Sequence, residues 1–442
     1  MSNKSIQKKK YYKITFKLES PLAIGSGENT YTDKDIIKDS RGVPYIPATA
    51  IAGVTRELIT KKISDKNTIE YFFGSKDKNK TKGEDFCNSN LIFYDANISQ
   101  SNTNHYVSVR DSVALDEYKT AKKGAKFDME ILEPGIEFVT FIEENLEADK
   151  NDVADMIGQF FLNNQVSFGG KTMRGYGAIS DVSVGYKEFD FSNNSDDIDK
   201  WLNFDVYNES NWRPVTKEDS EYDKCISLKL EQVGGISIRR YTTRPAPDKN
   251  TAVPDYEQLT VHNGEEAVPT IPGTSWAGAI RHRMQEFLRA EASNDNSVKK
   301  SIDKIFGYVD GEGNNAKARS RIMFSETRIL GGLDKQISRN AIDRFTGGTV
   351  DGALYTESTH YGGTTELKIA YNSDNDGKMD EKEVSALAAT LCDLHYGFLA
   401  VGGETSIGRG LFHILMINDK EINQEENNVY GIIKKEIEEV LV

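Results

Sequence analysis

Two glycine-rich stretches decide how this chain folds: GGKTMRGYGAI, Gly169 to Ile179, and GGETSIGRGLFHI, Gly402 to Ile414. The first contains Gly-Lys-Thr, as a phosphate-binding Walker loop does, but position 165 is Gln where that motif requires Gly. A Walker loop also follows a strand and opens a helix, whereas this stretch follows a helical pattern and runs into a strand. The second stretch has no lysine. Both stretches therefore predict a tight helix-to-strand turn rather than an ATP site.

The two stretches close two copies of one unit. They lie 233 residues apart (402 − 169), and six further segment pairs recur in the same order at offsets between 212 and 233. For example, YIPATAIAGVTR from Tyr45 matches TIPGTSWAGAIR from Thr270. Ordered recurrence indicates a tandem duplication. Because a unit of about 200 residues can bury its own core, we expect two domains rather than a solenoid.

Each copy shows the same order of predicted secondary structure. A β-rich opening segment is followed by a helical pattern, a strand, a long irregular excursion, another strand, a second helix and a last strand. This split βαβ order predicts an α+β protein with two tandem ferredoxin-like, RRM-like domains, whose open sheet face is a common RNA platform. The predicted parts are a first domain over 1–188, an acidic connector over 189–223, a second domain over 224–418 and a C-terminal helix over 419–442.

The composition is typical of a globular chain, with 442 residues of which 38% are hydrophobic and 28% charged. No apolar run approaches the roughly 18 residues of a membrane span, and the basic N-terminus lacks the apolar core of a signal peptide. Cys87, Cys225 and Cys392 have no paired spacing, so we expect no zinc site or disulfide framework and a cytoplasmic location. The net charge of −14 argues against indiscriminate nucleic-acid binding but allows a local basic groove.

Longer motifs surround the duplicated segments. In the first copy they are GSGENTYTDKDIIKDSRGVPYIPATAIAGVTR, Gly25 to Arg56, then RDSVALD and GGKTMRGYG; in the second they are VPTIPGTSWAGAIR, SRNAIDRFTGGTVDGALYTE and GGETSIGRG. Together they resemble the RAMP superfamily of CRISPR-associated proteins and are most similar to the backbone, target-cleaving subunits of type III effector complexes. Two complete units in one chain resemble the fused double-unit subunits of the type III-D branch.

The resemblance implies a subunit of an antiviral ribonucleoprotein complex. Its partners would be a CRISPR guide RNA, complementary target RNA, and the other backbone, small and large signature subunits of a type III complex. Thumb-like hairpin insertions, here 110–138 and 338–367, would break the guide–target duplex at regular intervals. We expect RNA contacts on the helix after each Ile-Pro pair, in the glycine loops and on two arginines of the second unit: Thr49, Gly53, Arg56, Gly169, Gly170, Lys171, Arg174, Gly175, Gly177, Arg239, Arg240, Thr274, Ser275, Gly278, Arg281, Gly402, Gly403, Gly408, Arg409 and Gly410.

In the family, an aspartate in the loop before the IPG-like motif cleaves target RNA, and the resemblance places it at Asp33. A positioned carboxylate can act as a general base toward the 2′-hydroxyl of RNA, or can hold a divalent cation such as Mg²⁺ or Mn²⁺. Asp35 and Asp39 lie in the same loop and favour metal recruitment at Asp33. The expected activity is a metal-dependent RNA endonuclease.

The loop of the second copy, RRYTTRPAPDKNTAVPDYEQLTVHNG, is longer and more basic at its start. Asp255 is the preferred equivalent of Asp33 there, with Glu257 and Asp248 as alternatives. Arg244 is a further candidate for binding phosphate. The departure from the family pattern leaves activity in the second unit open.

Other interpretations also stay open. Both units could hold guide RNA without catalysis, or the chain could be a guide-processing RNase, although that class commonly uses histidine and the motifs of the first unit contain none. Separately, Asn372 to Glu383 has the spacing of an EF-hand calcium loop. Because Asn replaces the usual first Asp and a strand pattern precedes it, we expect a strand-to-helix turn.

Overall fold

The computed structural model describes residues 6–27, 30–74, 88–99, 106–115, 121–147, 152–194, 196–218, 225–241, 253–263, 266–291, 294–309, 317–372, 377–422 and 428–441. The chain forms two compact units. The first comprises Met1–Val109, Asp128–Thr172 and Tyr176–Asp223, and the second comprises Arg110–Phe127, Met173–Gly175 and Lys224–Val442. The duplicated halves of the sequence thus correspond to the larger part of each unit.

The first half of the chain follows the predicted order of elements. Its strands are β1 Lys8–Leu18, β2 Leu91–Phe93, β3 Asn97–Ile98, β4 Val107–Leu115, β5 Ala121–Leu132, β6 Glu137–Leu146, β7 Ile179–Asp190 and β8 Arg213–Pro214. Its α-helices are α1 Ala48–Lys62, α2 Lys66–Phe73, α3 Ala154–Leu162 and α4 Asp196–Leu202.

The second half repeats this order with more short strands. These are β9 Cys225–Val233, β10 Gly235–Ile236, β11 Arg239–Tyr241, β12 Tyr256–Gln258, β13 Thr260–Asn263, β14 Glu266–Ile271, β15 Tyr308–Val309, β16 Lys317–Ala318, β17 Ile322–Phe324, β18 Thr327–Arg328, β19 Leu333–Arg339, β20 Tyr355–Tyr361, β21 Thr364–Tyr371, β22 Leu411–Ile417 and β23 Lys420–Glu421. The α-helices are α5 Gly273–Glu291, α6 Asp295–Phe306, α7 Glu381–His395 and α8 Val429–Leu441.

The main sheet of each unit has the strand order of a ferredoxin-like fold. The order is β2-β6-β1-β7 in the first unit and β17-β21-β9-β22 in the second, and every pair is antiparallel. The short strands β8 and β23 extend these sheets at one edge. The same order arises twice from the duplicated segments, so the predicted α+β fold with two ferredoxin-like domains is confirmed.

Buried and more exposed residues alternate along the central strands, and the buried ones form the two cores. The even positions of β1 from Tyr12 to Leu18 are buried, and so are the even positions of β9 from Ile226 to Leu230. These side chains share one face of each sheet, because successive residues of a strand point to opposite faces. Phe16 in the first unit and Trp276 in the second are among the largest fully buried side chains. Each such side chain contributes about 1.5–3 kcal/mol of burial free energy.

Aromatic side chains of the predicted connector cover the other face of the first sheet. The Trp201 indole donates a hydrogen bond to the Tyr11 hydroxyl at 2.9 Å, and the Trp212 ring lies 6.0 Å from that of Phe141. Gly185 on β7 leaves room for Trp212, since a Cβ there would lie 2.9 Å from it. By its contacts the connector is part of the first unit. The expectation of an open RNA platform on this sheet face is therefore wrong, because the connector occupies it.

A β-hairpin is inserted between the second and third sheet strands of each unit. The first consists of β4 and β5, and the second of β19 and β20. Beyond the paired part of the second hairpin, Ile342 and Thr349 form an isolated bridge around a turn. Phe345 at that turn is 99% exposed, and Ile342 is exposed as well. The second hairpin thus presents apolar side chains to solvent.

The calcium-like segment lies between strand β21 and helix α7, in the order predicted. Strand β21 precedes it, Asp380 accepts from the Glu383 backbone as the N-cap of α7, and the Glu383 side chain completes a capping box. Positions 374 and 376 of the candidate calcium loop lie outside the described residues. Further on, α8 buries Ile433 and Ile437 in the core of the second unit. Of the helices in the described part of the chain, none is long and apolar enough to cross a membrane.

Candidate cleavage sites and RNA interface

Asp33 lies in a loop that is fastened to strand β5. Its backbone N–H donates to Oδ1 of Asp128 at 2.8 Å, and the Asp128 N–H donates to Oδ2 of Asp33 at 3.0 Å. Asp33 is exposed and Asp128 is half-buried. This reciprocal pair holds the Asp33 carboxylate at one position on the surface, which is the first requirement for a catalytic group.

The other two aspartates of the loop maintain its shape. Asp35 accepts from the backbone N–H groups of residues 30–32 at 2.7–3.1 Å. Burial would raise the pKa of this carboxyl, but the hydrogen bonds outweigh it and lower the pKa to about 2. At Asp39, hydrogen bonds that begin with the Val43 N–H likewise lower the pKa. Both carboxylates are engaged in turns, so they are poor candidates for a metal ligand, and Asp33 is the exposed one.

A buried carboxylate behind the loop holds its second half. Glu130 on β5 accepts from the Lys38 ammonium at 2.9 and 3.0 Å and from the Ile36 N–H at 3.1 Å. The Glu130 N–H in turn donates to the Lys34 carbonyl at 3.0 Å. Removal of one partner from such a buried charged pair is costly, because the other charge is left unpaired. The whole loop is thus anchored to the returning strand of the first hairpin.

Asp255 occupies the corresponding position in the second unit. Its N–H donates to the Thr356 carbonyl at 2.8 Å, and its Oδ2 accepts from the Thr356 N–H at 2.9 Å. Thr356 lies on β20, the returning strand of the second hairpin, as Asp128 lies on β5. Asp255 is exposed, whereas Glu257 is half-buried within β12. Asp248 and Arg244 lie outside the described residues. The shared backbone contact favours Asp255 over Glu257 as the counterpart of Asp33.

The two sites differ in the donors that they offer to a cation. The first combines the carboxylates of Asp33 and Asp128, whereas in the second the equivalent backbone contact is made by Thr356, which has no carboxylate. Among the described residues, no group of three or more His, Cys, Asp or Glu side chains could hold a metal ion. One or two carboxylates suit Mg²⁺, which usually keeps several waters, but not a cation that needs an all-protein cage. The first site therefore fits a hydrated Mg²⁺ better than the second.

Neither packing nor backbone conformation requires glycine at two helical positions near the starts of α1 and α5. A Cβ at Gly53 or Gly278 would meet nothing within 4 Å, and both positions are exposed. Glycine inside a helix costs roughly 0.5–1 kcal/mol relative to alanine. Thr49 and Thr274 are exposed in the same first turns, and Ser275 is half-buried. In α1 the N-cap is Pro47, so Thr49 is not its cap. This surface is open to a ligand that approaches the helix backbone.

One arginine follows each of these glycines by a turn and lies over an aromatic ring. The Arg56 guanidinium is 5.7 Å from the centre of the Phe73 ring, and that of Arg281 is 5.9 Å from the centre of the Phe306 ring. Phe73 and Phe306 end the second helix of each unit. Stacking orients the planar guanidinium for bidentate contact with phosphate. The recurrence of the arrangement in both units indicates a shared role rather than two accidental surface contacts.

Each glycine loop runs from a helix into the last strand, as predicted. The loops fold alike, since the Gly170 N–H donates to the Ala23 carbonyl at 2.8 Å and the Gly403 N–H to the Ser237 carbonyl at 2.7 Å. Five loop glycines lie wholly or partly at the surface, where RNA could reach them: Gly169, Gly170, Gly402, Gly403 and Gly408.

Three further glycines of the loops are buried: Gly175, Gly177 and Gly410. All have positive φ, and a Cβ at Gly177 or Gly410 would overlap the carbonyl oxygen of Phe168 or Val401. The requirement for glycine there comes from the fold. The direct RNA contact predicted for these three positions does not agree with their burial, and we leave them out of the proposed interface.

The basic side chains of the loops and of β11 have different environments. Lys171 lies 3.1 Å from the Met129 sulfur, and Arg174 donates to the Ser320 hydroxyl at 3.3 Å. Burial, and secondarily Arg281, lower the pKa of Arg174. Arg239 is exposed and Arg240 half-buried. These four cations remain candidates for RNA contact.

Arg409 differs from these cations because it is 4% exposed. Its guanidinium donates to Glu357, and to the Thr359 hydroxyl at 2.8 Å. A side chain committed in this way within the second unit cannot reach RNA on the surface. The RNA contact predicted for Arg409 is therefore not part of the interface.

Each ferredoxin-like unit carries an inserted hairpin, an exposed aspartate bonded to the returning strand of that hairpin, and an open helix glycine followed by an arginine. The chain is thus a tandem α+β protein whose two units have the same surface features. The chain belongs to the RAMP superfamily, whose family model matches residues 15–180 and 252–413. Each match covers most of one duplicated segment. Family membership makes this a CRISPR-associated RNA-binding protein, and RAMP proteins work with RNA in CRISPR ribonucleoprotein complexes. A search of curated proteins found no match.

Proposed function

We propose that this chain is a backbone subunit of a type III CRISPR effector complex, which binds guide RNA and cleaves complementary target RNA at one site per unit. The observation that carries this proposal is the recurrence of an exposed aspartate, Asp33 or Asp255, fastened to the returning strand of a hairpin. The loops of the two duplicated units differ in length and sequence, yet both keep this arrangement. A surface turn without a function would have no reason to keep it.

The guide RNA would lie along the starts of α1 and α5. There the open glycines Gly53 and Gly278 allow a phosphate backbone to approach, and the helix N-terminus adds a favourable dipole for anions. Arg56 and Arg281 follow on the next turn. Such local cations can bind RNA despite the net charge of −14.

The second hairpin supports a role in separating guide from target. Its exposed Phe345 and Ile342 resemble the apolar wedges that unstack bases, and stacking of a base on an aromatic ring contributes about 1–3 kcal/mol. A nucleotide that is unstacked has a freer backbone. Its 2′-hydroxyl can then come into line with the scissile phosphate next to the aspartate.

The aspartates would act on that 2′-hydroxyl. Asp33 or Asp255 would accept or relay its proton, and the backbone bonds at 2.9–3.0 Å hold the carboxylate in place during the step. At the first site, Asp33 and Asp128 would hold a hydrated Mg²⁺ or Mn²⁺. When bound, this cation would supply positive charge to the phosphate that accumulates negative charge. The second site would depend more on its neighbouring arginines.

Substitution of the open helix glycines should have opposite effects on stability and on RNA binding. We expect Gly53→Ala and Gly278→Ala to raise the unfolding free energy by about 0.5–1 kcal/mol, because alanine is the better helix former. The same methyl group would obstruct the guide backbone, so the affinity for guide RNA should fall. Thermal unfolding and filter binding measure the two effects. Asp196→Ala, at the exposed start of α4 and outside the proposed interface, is the control. Equal guide affinity in all variants would contradict the proposed interface.

The nuclease proposal is tested with the doubly substituted subunit, Asp33→Ala with Asp255→Ala, assembled with guide RNA. We expect labelled complementary RNA to bind as tightly as to the wild-type complex and to remain intact, while the wild-type complex cuts it at two positions. A non-complementary RNA is the control for guidance. If the double variant still cuts the target, the aspartates are not the catalytic groups. If the wild-type complex binds without cutting, the subunit has only a guide-holding role.

A further inference from the structure

A network of five charged side chains occupies the second unit beside Asp255. Arg409 pairs with Glu357, and also with Glu404 at 2.6 Å. Arg339 pairs with Glu357 at 3.1 Å, and Arg239 with Glu404 at 3.0 Å. Glu357 is 1% exposed, so the centre of the network is shielded from water. The three arginines and two carboxylates leave one net positive charge.

The network joins three functional elements of the second unit. Glu404 and Arg409 belong to the glycine loop, Arg339 and Glu357 to the two strands of the hairpin, and Arg239 to β11. The Arg409–Glu357 pair therefore joins the glycine loop to the hairpin, and the Arg239–Glu404 pair joins β11 to the glycine loop. A displacement of the glycine loop would break contacts of Arg409 with Glu357 and so disturb β20.

Asp255 is adjacent to this network along two routes. Its hydrogen-bond partner Thr356 directly precedes Glu357 on β20. On the other side, the Arg239 guanidinium lies 4.3 Å from the centre of the Tyr256 ring, and Tyr256 follows Asp255 in the chain. The position of the Asp255 carboxylate thus depends on Thr356 and Tyr256. Thr356 is next to Glu357 in the chain and Tyr256 contacts Arg239, and both Glu357 and Arg239 belong to the network.

The first unit is built differently at the matching positions. Its counterparts of Glu404 and Arg409, at the glycine-loop offset of 233, are Lys171 and Tyr176, and Lys171 lies 5.7 Å from the Tyr176 ring centre. The buried carboxylate that matches Glu357 is Glu130, which pairs with Lys38 of the Asp33 loop. In the first unit this carboxylate holds the cleavage loop directly. In the second it holds the glycine loop.

We propose that Arg409 is a positioning residue for the second cleavage site, which it connects to the glycine loop through Glu357 and Glu404. This inference rests on the proposed function of Asp255. Loss of Arg409 would leave Glu357 buried with one arginine fewer, and β20 would shift or loosen under Asp255. The first site has no such dependence and should be unaffected.

The test uses complete complexes that carry Arg409→Gln, Arg409→Lys or Glu404→Gln and one target RNA with both cut positions. At saturating target, we expect Arg409→Gln to slow the second cut roughly 10- to 100-fold, since a displacement of about 1 Å of a reacting group can cost 100-fold. The first cut on the same molecule is the internal control, and its rate and the amount of loaded guide should not change. Arg409→Lys should restore part of the rate, because it returns the charge but not the paired hydrogen bonds.

Two controls separate the outcomes. Arg283→Gln removes a half-buried arginine of the same unit that pairs with Asp393 at 2.5 Å, and it should leave both cuts unchanged. If Arg409→Gln prevents folding, Glu404→Gln tests the same connection from its more exposed end. Reduced guide loading, or an unchanged second cut in the Arg409 and Glu404 variants, would overturn the inference. If Asp255→Ala leaves the second cut intact, the proposed function of that site fails, whatever the Arg409 variants show.

Discussion

Asp33→Ala should lower the rate of one target-RNA cut by at least about 100-fold and leave the other cut in place. Loss of a general base lowers the reaction rate by about 10²–10⁴-fold, and loss of a carboxylate beside the phosphate would lower the rate further. The affinity for target RNA should remain, since guide pairing provides it. Single-turnover cleavage with end-labelled RNA gives the two rate constants separately.

Two variants sharpen this result. Asp33→Asn keeps the hydrogen bonds with Asp128 but removes the charge, so it should lose the cut as fully as Asp33→Ala does. Asp196→Ala removes an exposed carboxylate at the start of α4, remote in sequence from the loop, and should cut normally. A first cut that persists within about twofold in both Asp33 variants would show that the carboxylate is not needed.

Gly177→Ala and Gly410→Ala should destabilise their units strongly. Each residue has positive φ, and its added Cβ would overlap the carbonyl oxygen of Phe168 or Val401, whose own N–H donates to the carbonyl of the same glycine. Left-handed strain of about 1–2 kcal/mol and overpacking of about 1–3 kcal/mol together predict a loss of roughly 2–5 kcal/mol. Chemical denaturation of the isolated chain measures it.

The matched comparison is Gly408→Ala, at a loop position where φ is also positive but a Cβ would meet nothing within 4 Å. It should suffer the backbone strain alone and lose less stability than Gly410→Ala. If Gly410→Ala were as stable as the wild type, the tight packing of the loop against Val401 would be in doubt.

Sequence patterns were sufficient for the fold because the repeat supplied two aligned copies of each signal. The strand order of both sheets and the helix-to-strand position of the glycine loops followed from that alignment. The resemblance to RAMP proteins then selected Asp33 among three neighbouring aspartates, and the structure shows a physical reason, since Asp35 and Asp39 are engaged in turns.

Contacts between distant segments could not be read in the same way. Asp128 lies 95 residues from Asp33, and no spacing rule connects a loop to the returning strand of a hairpin. The connector appeared acidic and weakly patterned, yet Trp201 and Trp212 fasten it to the first sheet. The glycine-rich loop predicts a surface position for Arg409, whereas the structure buries this side chain against Glu357, which lies 52 residues earlier in the chain.

The central claim is that each unit carries its own cleavage site on a shared guide. It is tested most directly by mapping the cut positions of one complementary target with wild-type, Asp33→Ala and Asp255→Ala complexes. We predict two cuts at a fixed distance from each other and from the guide terminus, with each substitution removing a different one. Loss of both cuts through a single substitution, or cuts that move with the target sequence rather than with the guide, would contradict the account.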